Sequence, residues 1–579
     1  MITINEHKQQ ALFDPWAFIS PKRRQLLDEG WPGLFRTHLL HELPVKEISP
    51  FFSSQWGRPS KELYSMLGAL LLQQAMDLTD EQTVEHFCFD LCWHYGLDIT
   101  QESDSAKYIC TKTLWSARQL MIENNLDPLL FERTSDKLAS VFEVNSGHQR
   151  IDSVHVFSNM RRLSRLGIFI RTIRKFLRNL KRQHAELWGL IAERFAERYL
   201  AEKALSAFSR VKPSVAEKTL LQVSADLLAL IERFKEQAAV CQMHSYKLMQ
   251  RVFSEHCEIK ADEPLTVKPA KEVPSDSLQN PSDPDATYDG HKGQGYQVQV
   301  METYTTTDDK EQKQQTLNLI TYVAVEPAHV SDTHALVPAI EDTQARGLSA
   351  QSTLADSAYG SDDNVCQAQA LGVEVVAPSM KGNLSKSMDL FDFDDTGRVI
   401  RCPQGNAPEK TTHKQKKDRY VACFAIDCCQ SCPKRADCPV VPGRKFYYLR
   451  YNGKHYRLAR RRCREQTDEF IERYRWRAGI EATMSEYATL TGVKRLRVRG
   501  MAAVRYCAVL KAAGLNLMRA ARVHRARMKA RLRAAAAASE RLRLNFLAFK
   551  ERFAGLIPKW VEFSLPNQAH ADDGLALAA

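Results

Sequence analysis

Two aspartates interrupt stretches that otherwise have the make-up of buried β-strands. Asp152 lies within Gln149 to Phe157, an alternating run rich in Val and Ile, and Asp356 ends Thr353-Leu354-Ala355-Asp356. Either acid alone has an ordinary reading, Asp152 ending a turn hydrogen bond and Asp356 capping the turn that follows. Burying a carboxylate is costly unless it is paired or bound to a cation. Two such acids in one well-patterned core therefore demand a fold that offers both the same compensation.

A third acid completes the pattern far downstream, in Tyr474-Arg475-Trp476-Arg477-Ala478-Gly479-Ile480-Glu481. Tyr474, Arg477 and Glu481 stand at i, i+3 and i+7, so a helix sets all three on one face, with Arg477 one turn before the carboxylate. An intrahelical Arg477–Glu481 pair is the plainest use of that spacing. Three carboxylates from two strands and one helix are also what a pair of hard, oxygen-seeking divalent ions needs to be held against a phosphate. Glu486 is a weaker alternative third ligand, because five residues carry it well around the helix from Glu481.

With 579 residues, the chain is expected to form several domains of roughly 100 to 200 residues each. Hydrophobic residues make up 44% and charged residues 26%, a globular balance. The formal net charge of +12, with a sequence pI near 9.0, is clustered and favours a polyanionic partner, nucleic acid before an anionic membrane. The apolar run from Met66 to Leu72 is broken by Gln73 and Gln74, well short of the roughly 20 residues of a membrane helix. No secretory signal opens the sequence. Most of its 14 cysteines are scattered singly, which speaks against a disulfide framework and for a reducing cytoplasm.

Patterning divides the chain further. Residues 1–145 read as a helical domain: Leu63, Met66, Leu67, Leu70 and Leu71 recur with helical period after Arg58-Pro59-Ser60, and Thr79 with Gln82 forms a capping box for a helix bearing Val84, Phe87 and Cys88. A helical bundle is the first reading there and a helix-turn-helix DNA reader the second. Strand patterning begins at Gln149. Residues 161–287 read as a helical insertion and a polar linker rich in Pro, Ser and Asp. The insertion opens on a basic amphipathic helix with Ile170, Ile173, Leu177 and Leu180 on one face and Arg171, Arg174, Lys175, Arg178, Lys181 and Arg182 around the other. Residues 146–160 and 288–380 alternate strands and helices as an α/β core. A loop-like, cysteine-rich insertion (381–465), the Glu481 helix with an apolar closing helix (466–520) and a basic tail (521–579) follow.

The cysteines of that insertion carry a signal of their own. Cys429-Gln430-Ser431-Cys432 has the two-residue gap of a zinc knuckle, and Cys402 and Cys438 complete a four-thiolate set, with Cys423 or Cys428 able to replace either. A polar segment with few apolar residues gains much from a structural metal.

Taken together, Ile151-Asp152-Ser153-Val154-His155, Ala355-Asp356-Ser357-Ala358-Tyr359-Gly360 and Tyr474-x2-Arg477-x3-Glu481 resemble the DDE transposases of bacterial insertion sequences. Gly492 to Gly500 and Gly514 to Arg519 resemble that family's closing segment, and the likeness runs from Gly57-Arg58-Pro59 to about Arg522. The resemblance implies a ribonuclease-H-like catalytic fold in which Asp152, Asp356 and Glu481 hold two Mg²⁺ or Mn²⁺ ions. It implies cleavage at element ends, then attack of the exposed 3′ hydroxyl on target DNA, with no protein nucleophile. Ser153, His155 and Ser357 are then neighbours of the site rather than catalysts. Tyr474, Arg477, Lys292, Lys494, Arg495, Arg497 and Arg499 are the expected DNA contacts, His291 a further neighbour of the DNA, and joining two ends implies at least a dimer on DNA. One position departs: where the family's fullest signature has a lysine seven residues after the glutamate, this chain has Ala488. A nuclease that cuts without joining, and an inactive DNA-binding derivative, are the alternatives.

Overall fold

A computed structural model describes residues 2–5, 7, 13–53, 59–202, 204–209, 211–259, 265–380 and 388–552. Helix α1 (Leu63–Ala75) is almost entirely apolar and buried on all sides. Its N-terminus is set by Glu62, whose carboxylate accepts from the amides of Tyr64 and Ser65, rather than by the Arg58-Pro59-Ser60 stretch, of which Arg58 lies outside the described residues. Helix α2 (Asp80–Phe89) begins with the expected capping box between Thr79 and Gln82. Helix α3 (Asp127–Phe142) ends at Glu143 in the left-handed conformation and delivers the chain to the sheet.

Six strands form that sheet: β1 (His148–Phe157), β2 (Thr287–Asp289), β3 (Gly293–Thr303), β4 (Ile320–Pro327), β5 (Ser352–Leu354) and β6 (Glu374–Val376). β3 lies antiparallel between β1 and β4, and β2 pairs with its start; on the other side β5 runs parallel to β1 and β6 parallel to β5. The β1–β3 register sets Arg150 opposite Glu302 and Asp152 opposite Val300. Because strand side chains alternate, Arg150, Asp152, Val154 and Val156 share one face.

On that face Val154, Val156, Val298 and Val300 join a single hydrophobic cluster with Leu67 and Leu70 of α1, Leu138 of α3 and the C-terminal helix. The helical N-terminal region and the sheet thus share one core. On the opposite face Ile151 and Met301 pack under helix α7 (Leu336–Ala345), beside Tyr359 and Ala368 of helix α8 (Asp362–Ala370). The insertion, built on α4 (Arg165–Gln183), α5 (Pro213–Phe234) and α6 (His244–His256), has a core of its own. The stretch read as a polar linker is a brace in its described part: Leu278 is buried in the insertion's core, and buried Asp283 accepts from Ser158, Tyr296 and the amide of Gly500. Short polar runs hide such a role because the Asp283 partners are distant in sequence.

The described part of the segment expected to be loop-like carries regular structure. Strands β7 (Lys410–Lys414), β8 (Arg419–Phe424), β9 (Val441–Pro442) and β10 (Tyr447–Tyr451) form an antiparallel sheet over Phe391, Tyr420, Ala422, Phe424 and Leu449. These strands are short, and the first of them, Lys410–Lys414, has no apolar residue, so little alternating apolar pattern marks the sheet. Helix α9 (Gly453–Glu465) follows, with Asn452 and His455 in a capping box. Helix α10 (Asp468–Tyr474), a 3₁₀ turn (Arg475–Ala478) and helix α11 (Gly479–Thr491) come next. The region read as a closing helix plus basic tail is one helix, α12 (Met501–Arg552), throughout its described length.

The N-terminus is tied down by charge. Burial alone would lower the His7 pKa, but hydrogen bonds to Asp98 and Glu62 outweigh it and raise the group to about 9. A histidine whose folded pKa is raised contributes stability that is complete below its unfolded pKa and is lost as pH climbs through the folded one. We therefore expect stability to fall between about pH 6.5 and pH 9, by about 2 kcal/mol once residual solvent screening is allowed for, as read from urea melts; the decline should vanish in His7→Gln.

Candidate active site

The even face of β1 points at the α10–α11 junction, and a chain of charges connects them. Arg150 sends its guanidinium to Glu302, directly opposite on β3, with Nε to Oε1 at 2.7 Å. Its Nη1 donates to the Trp476 carbonyl at 2.7 Å, inside the 3₁₀ turn. Gly479 begins α11 beside this guanidinium: a Cβ there would fall 2.1 Å from Arg150 Nη1, so the junction accepts only glycine while Arg150 stays in place. Glu302 is fully buried and also accepts from Thr483 of α11, at 2.7 Å, and from Arg519 of α12, at 2.9 Å. One carboxylate thus joins β1, α11 and α12.

This scaffold sets Arg477 between two of the three predicted acids. Its Nη2 lies 2.8 Å from Asp152 Oδ2 and its Nη1 3.1 Å from Glu481 Oε1. The i, i+4 pair of Arg477 with Glu481 is present, and Asp152, 325 residues earlier, shares the same guanidinium. Tyr474, Arg477 and Glu481 do not ride one uninterrupted α-helix, because the 3₁₀ turn separates α10 from α11. Asp356 follows β5 and accepts from the Ala358 amide at 2.8 Å. Burial raises the Asp152 pKa first, and the charges of Asp356 and Asp332 push it further, against the lowering effects of the Ser153 amide and Arg477.

Asp332 is a carboxylate that sequence reasoning missed. It stands at the start of a short 3₁₀ turn where it reads as part of a helix cap; Gln299 on β3 donates to it at 2.7 Å, and Lys292 lies 3.7 Å away. Lys292 also reaches Ser153 Oγ at 3.3 Å, which places it at the rim of the site. Tyr474 stacks on Phe470 with centroids 5.4 Å apart, and its pKa is raised by burial, then by Asp356 and Asp152. Its hydroxyl therefore stands near the same acids. His155 is buried against Phe157, and burial followed by Lys292 lowers its pKa. His291 sits in an Asx turn, its amide donating to Asp289 Oδ1 at 2.8 Å.

Glu486 is bound by Arg519 at 2.7 Å and Arg522 at 2.9 Å, facing α12. Arg497 is exposed and pairs with Asp77 at 3.1 Å, the same acid that holds Lys511 of α12 at 2.7 Å. Lys494, Arg495 and Arg499 are exposed, and Arg499 reaches Met160 Sδ at 3.3 Å. Ala488 is half-buried.

Hard oxygen donors and a surplus of negative charge suit a divalent cation. Among the described residues, however, no group of three or more His, Cys, Asp or Glu is arranged to hold a metal. The physical reason is at hand for the acids, since Arg477 holds both Asp152 and Glu481. Cys402, Cys429, Cys432 and Cys438, with Cys428, line a cavity of about 330 Å³ in the appended sheet. Burial first, then the neighbouring thiols, push Cys429 up to about 11.

The site therefore defines an α/β protein with clustered acids controlled by an arginine. The family model described as "Transposase DDE domain" matches residues 401–521, a span containing the appended sheet, Glu481 and the first part of α12 but neither Asp152 nor Asp356. This match supports a DDE transposase, a nucleic-acid-processing enzyme. No curated protein and no solved structure matches the chain. No helix among the described residues is long and apolar enough to cross a membrane.

Proposed function

We propose that the protein is a DNA transposase that cleaves the ends of a bacterial insertion sequence and joins them to target DNA, acting in the cytoplasm as a dimer or larger assembly on DNA. The observation that carries this reading is the Arg477 guanidinium held by both Asp152 and Glu481, which brings acids from β1 and α11 to one cation, with the charge of Asp356 acting on Asp152. The central sheet, with β1, β3 and β4 antiparallel, β2 paired to the start of β3, and β5 and β6 parallel to β1 on its other side, is consistent with a ribonuclease-H-like core. Asp152, Asp356 and Glu481 would hold Mg²⁺ or Mn²⁺ as a pair of ions. Such ions activate a water or a 3′ hydroxyl and stabilise in-line displacement at phosphorus. The chain's own part is positional: Arg150 and Glu302 fix the junction from which Arg477 and Glu481 project. Arg477 neutralises the acids and is placed to meet a phosphate. Tyr474, Lys292, Lys494, Arg495, Arg497 and Arg499 supply further contacts to DNA.

Labelled element ends incubated with Mg²⁺ and target plasmid should yield joined products, abolished by EDTA and restored by Mn²⁺. Cut ends without joined products would instead identify a nuclease, and no reaction with either metal a DNA-binding derivative.

We further propose that Cys402, Cys429, Cys432 and Cys438 bind one structural Zn²⁺. Burial and the neighbouring thiols raise the pKa of Cys429, and burial raises that of Cys438, so both gain from a cation that stabilises their thiolates. Elemental analysis of the purified full chain should find about one zinc per chain, and Cys432→Ser should abolish it. A metal-free wild-type protein would reject this assignment.

A further inference from the structure

Beyond the acidic site, uncompensated charge concentrates on α4. This helix carries seven Arg and Lys and no Asp or Glu. An ordinary solvated helix face interleaves acids three or four residues from its bases, which relieves their repulsion. Here the relief is missing. Two adjoining grooves, of about 240 and 260 Å³, are lined by Arg161, Arg162 and Arg171 in one and by Arg171, Arg174, Lys175 and Arg178 in the other. Among the described residues no carboxylate lines either groove.

Two of these cations are held in place by carbonyl oxygens, which leaves their charge intact. Arg174 Nη1 donates to the Tyr199 carbonyl at 2.6 Å, and Lys175 donates to the Pro281 carbonyl. Burial, and then Arg178 and Arg171, lower the pKa of Arg174; burial, and then Arg499, lower that of Lys175. Arg499 thus adjoins the groove, and it lies in the segment that follows α11 and Glu481. A positive track runs from the exit of the catalytic helix onto the insertion.

We propose that this track grips the phosphate backbone of duplex DNA as a contact distinct from the carboxylate site. The inference rests on the transposase reading and names a surface for its DNA. Arg171 to Arg178 span about 10 Å of helix axis, about three phosphate spacings along one strand. Backbone contacts fix register and orientation without reading sequence. The insertion, on this view, positions DNA that the acidic site then processes.

The test uses the full chain with Arg161→Gln, Arg171→Gln and Arg178→Gln combined, three exposed side chains whose loss leaves the insertion's core untouched. Fluorescence anisotropy is measured on random-sequence and element-end duplexes across a salt series. We expect affinity to fall at least about tenfold for both duplexes, and the slope of log Kd against log salt to shrink by about 2 to 3. The corresponding triple Arg→Lys protein should recover affinity and slope together, which separates lost charge from lost fold. Unchanged affinity and slope, in a background where the wild type binds and joins DNA, would overturn the proposal. So would a loss confined to element ends, failure of the lysine protein to recover, or preferential binding of phosphatidylserine vesicles over duplex. If wild-type protein binds neither duplex, the transposase reading fails first, before any variant is compared.

Discussion

Asp152→Asn is expected to reduce metal-dependent strand transfer by at least about 10³-fold, equivalent to about 4 kcal/mol of transition-state stabilisation. The amide keeps the shape of the side chain and its hydrogen bond from the Ser153 amide but removes the charge. Three consequences separate this from simple unfolding. DNA affinity should persist, since the basic surfaces are untouched. Thermal stability should not fall, because burial and the charges of Asp356 and Asp332 already disfavour ionised Asp152. Cleavage and joining should be lost together, as both steps use the same acids. Asp356→Asn and Glu481→Gln should behave alike in the assay. A variant Asp152→Asn protein retaining full activity would dismiss the assignment of this acid.

Glu302→Ala should be the most damaging single change to the fold, costing about 3–5 kcal/mol, because it strands two guanidinium groups in a buried setting. Glu302 is fully buried, with Arg150 at 2.7 Å and Arg519 at 2.9 Å. The chevron of a kinetic experiment is unnecessary; the midpoint of urea unfolding followed by circular dichroism suffices. A replacement of Glu302, Arg150 and Arg519 together by apolar residues should recover part of that loss, since breaking a buried ion cluster costs more than exchanging it. Recovery of stability without recovery of strand transfer would show that the cluster's value to the site is positional. A shift of the midpoint worth less than about 1 kcal/mol for Glu302→Ala would instead mean that the two arginines find other partners.

What a sequence can disclose here depends on how local each signal is. The strand around Asp152 and the i, i+4 pair of Arg477 and Glu481 are local, and both are present. Glu302 is not local: its meaning depends on the β1–β3 register that sets it opposite Arg150, and in sequence it reads only as one polar residue near a strand end. Asp332 is hidden for the same reason, because its influence on Asp152 is exerted across the sheet. The appended sheet escapes because strands such as Lys410–Lys414 expose charged side chains on one face and supply little apolar pattern. The partners of Glu486 are equally invisible in the sequence, because Arg519 and Arg522 lie 33 and 36 residues further on. The family match reaches Glu481 and stops short of both aspartates, so their placement stands on geometry.

Helix α12 has a mechanical consequence. It is anchored in the core, where a Cβ on Gly514 would lie 2.5 Å from the Ala75 Cα of α1, and it continues to Arg552 as one element. The body holds it through buried Val523 and through Arg527, which donates to the Gln315 and Phe142 carbonyls. From Arg527 to its described end a straight α-helix extends about 38 Å, so a tilt of one degree there displaces the far end by about 0.7 Å. The helix is a lever whose fulcrum lies at the edge of the protein body, and a truncation near residue 520 would remove buried Val523 as well as the arm.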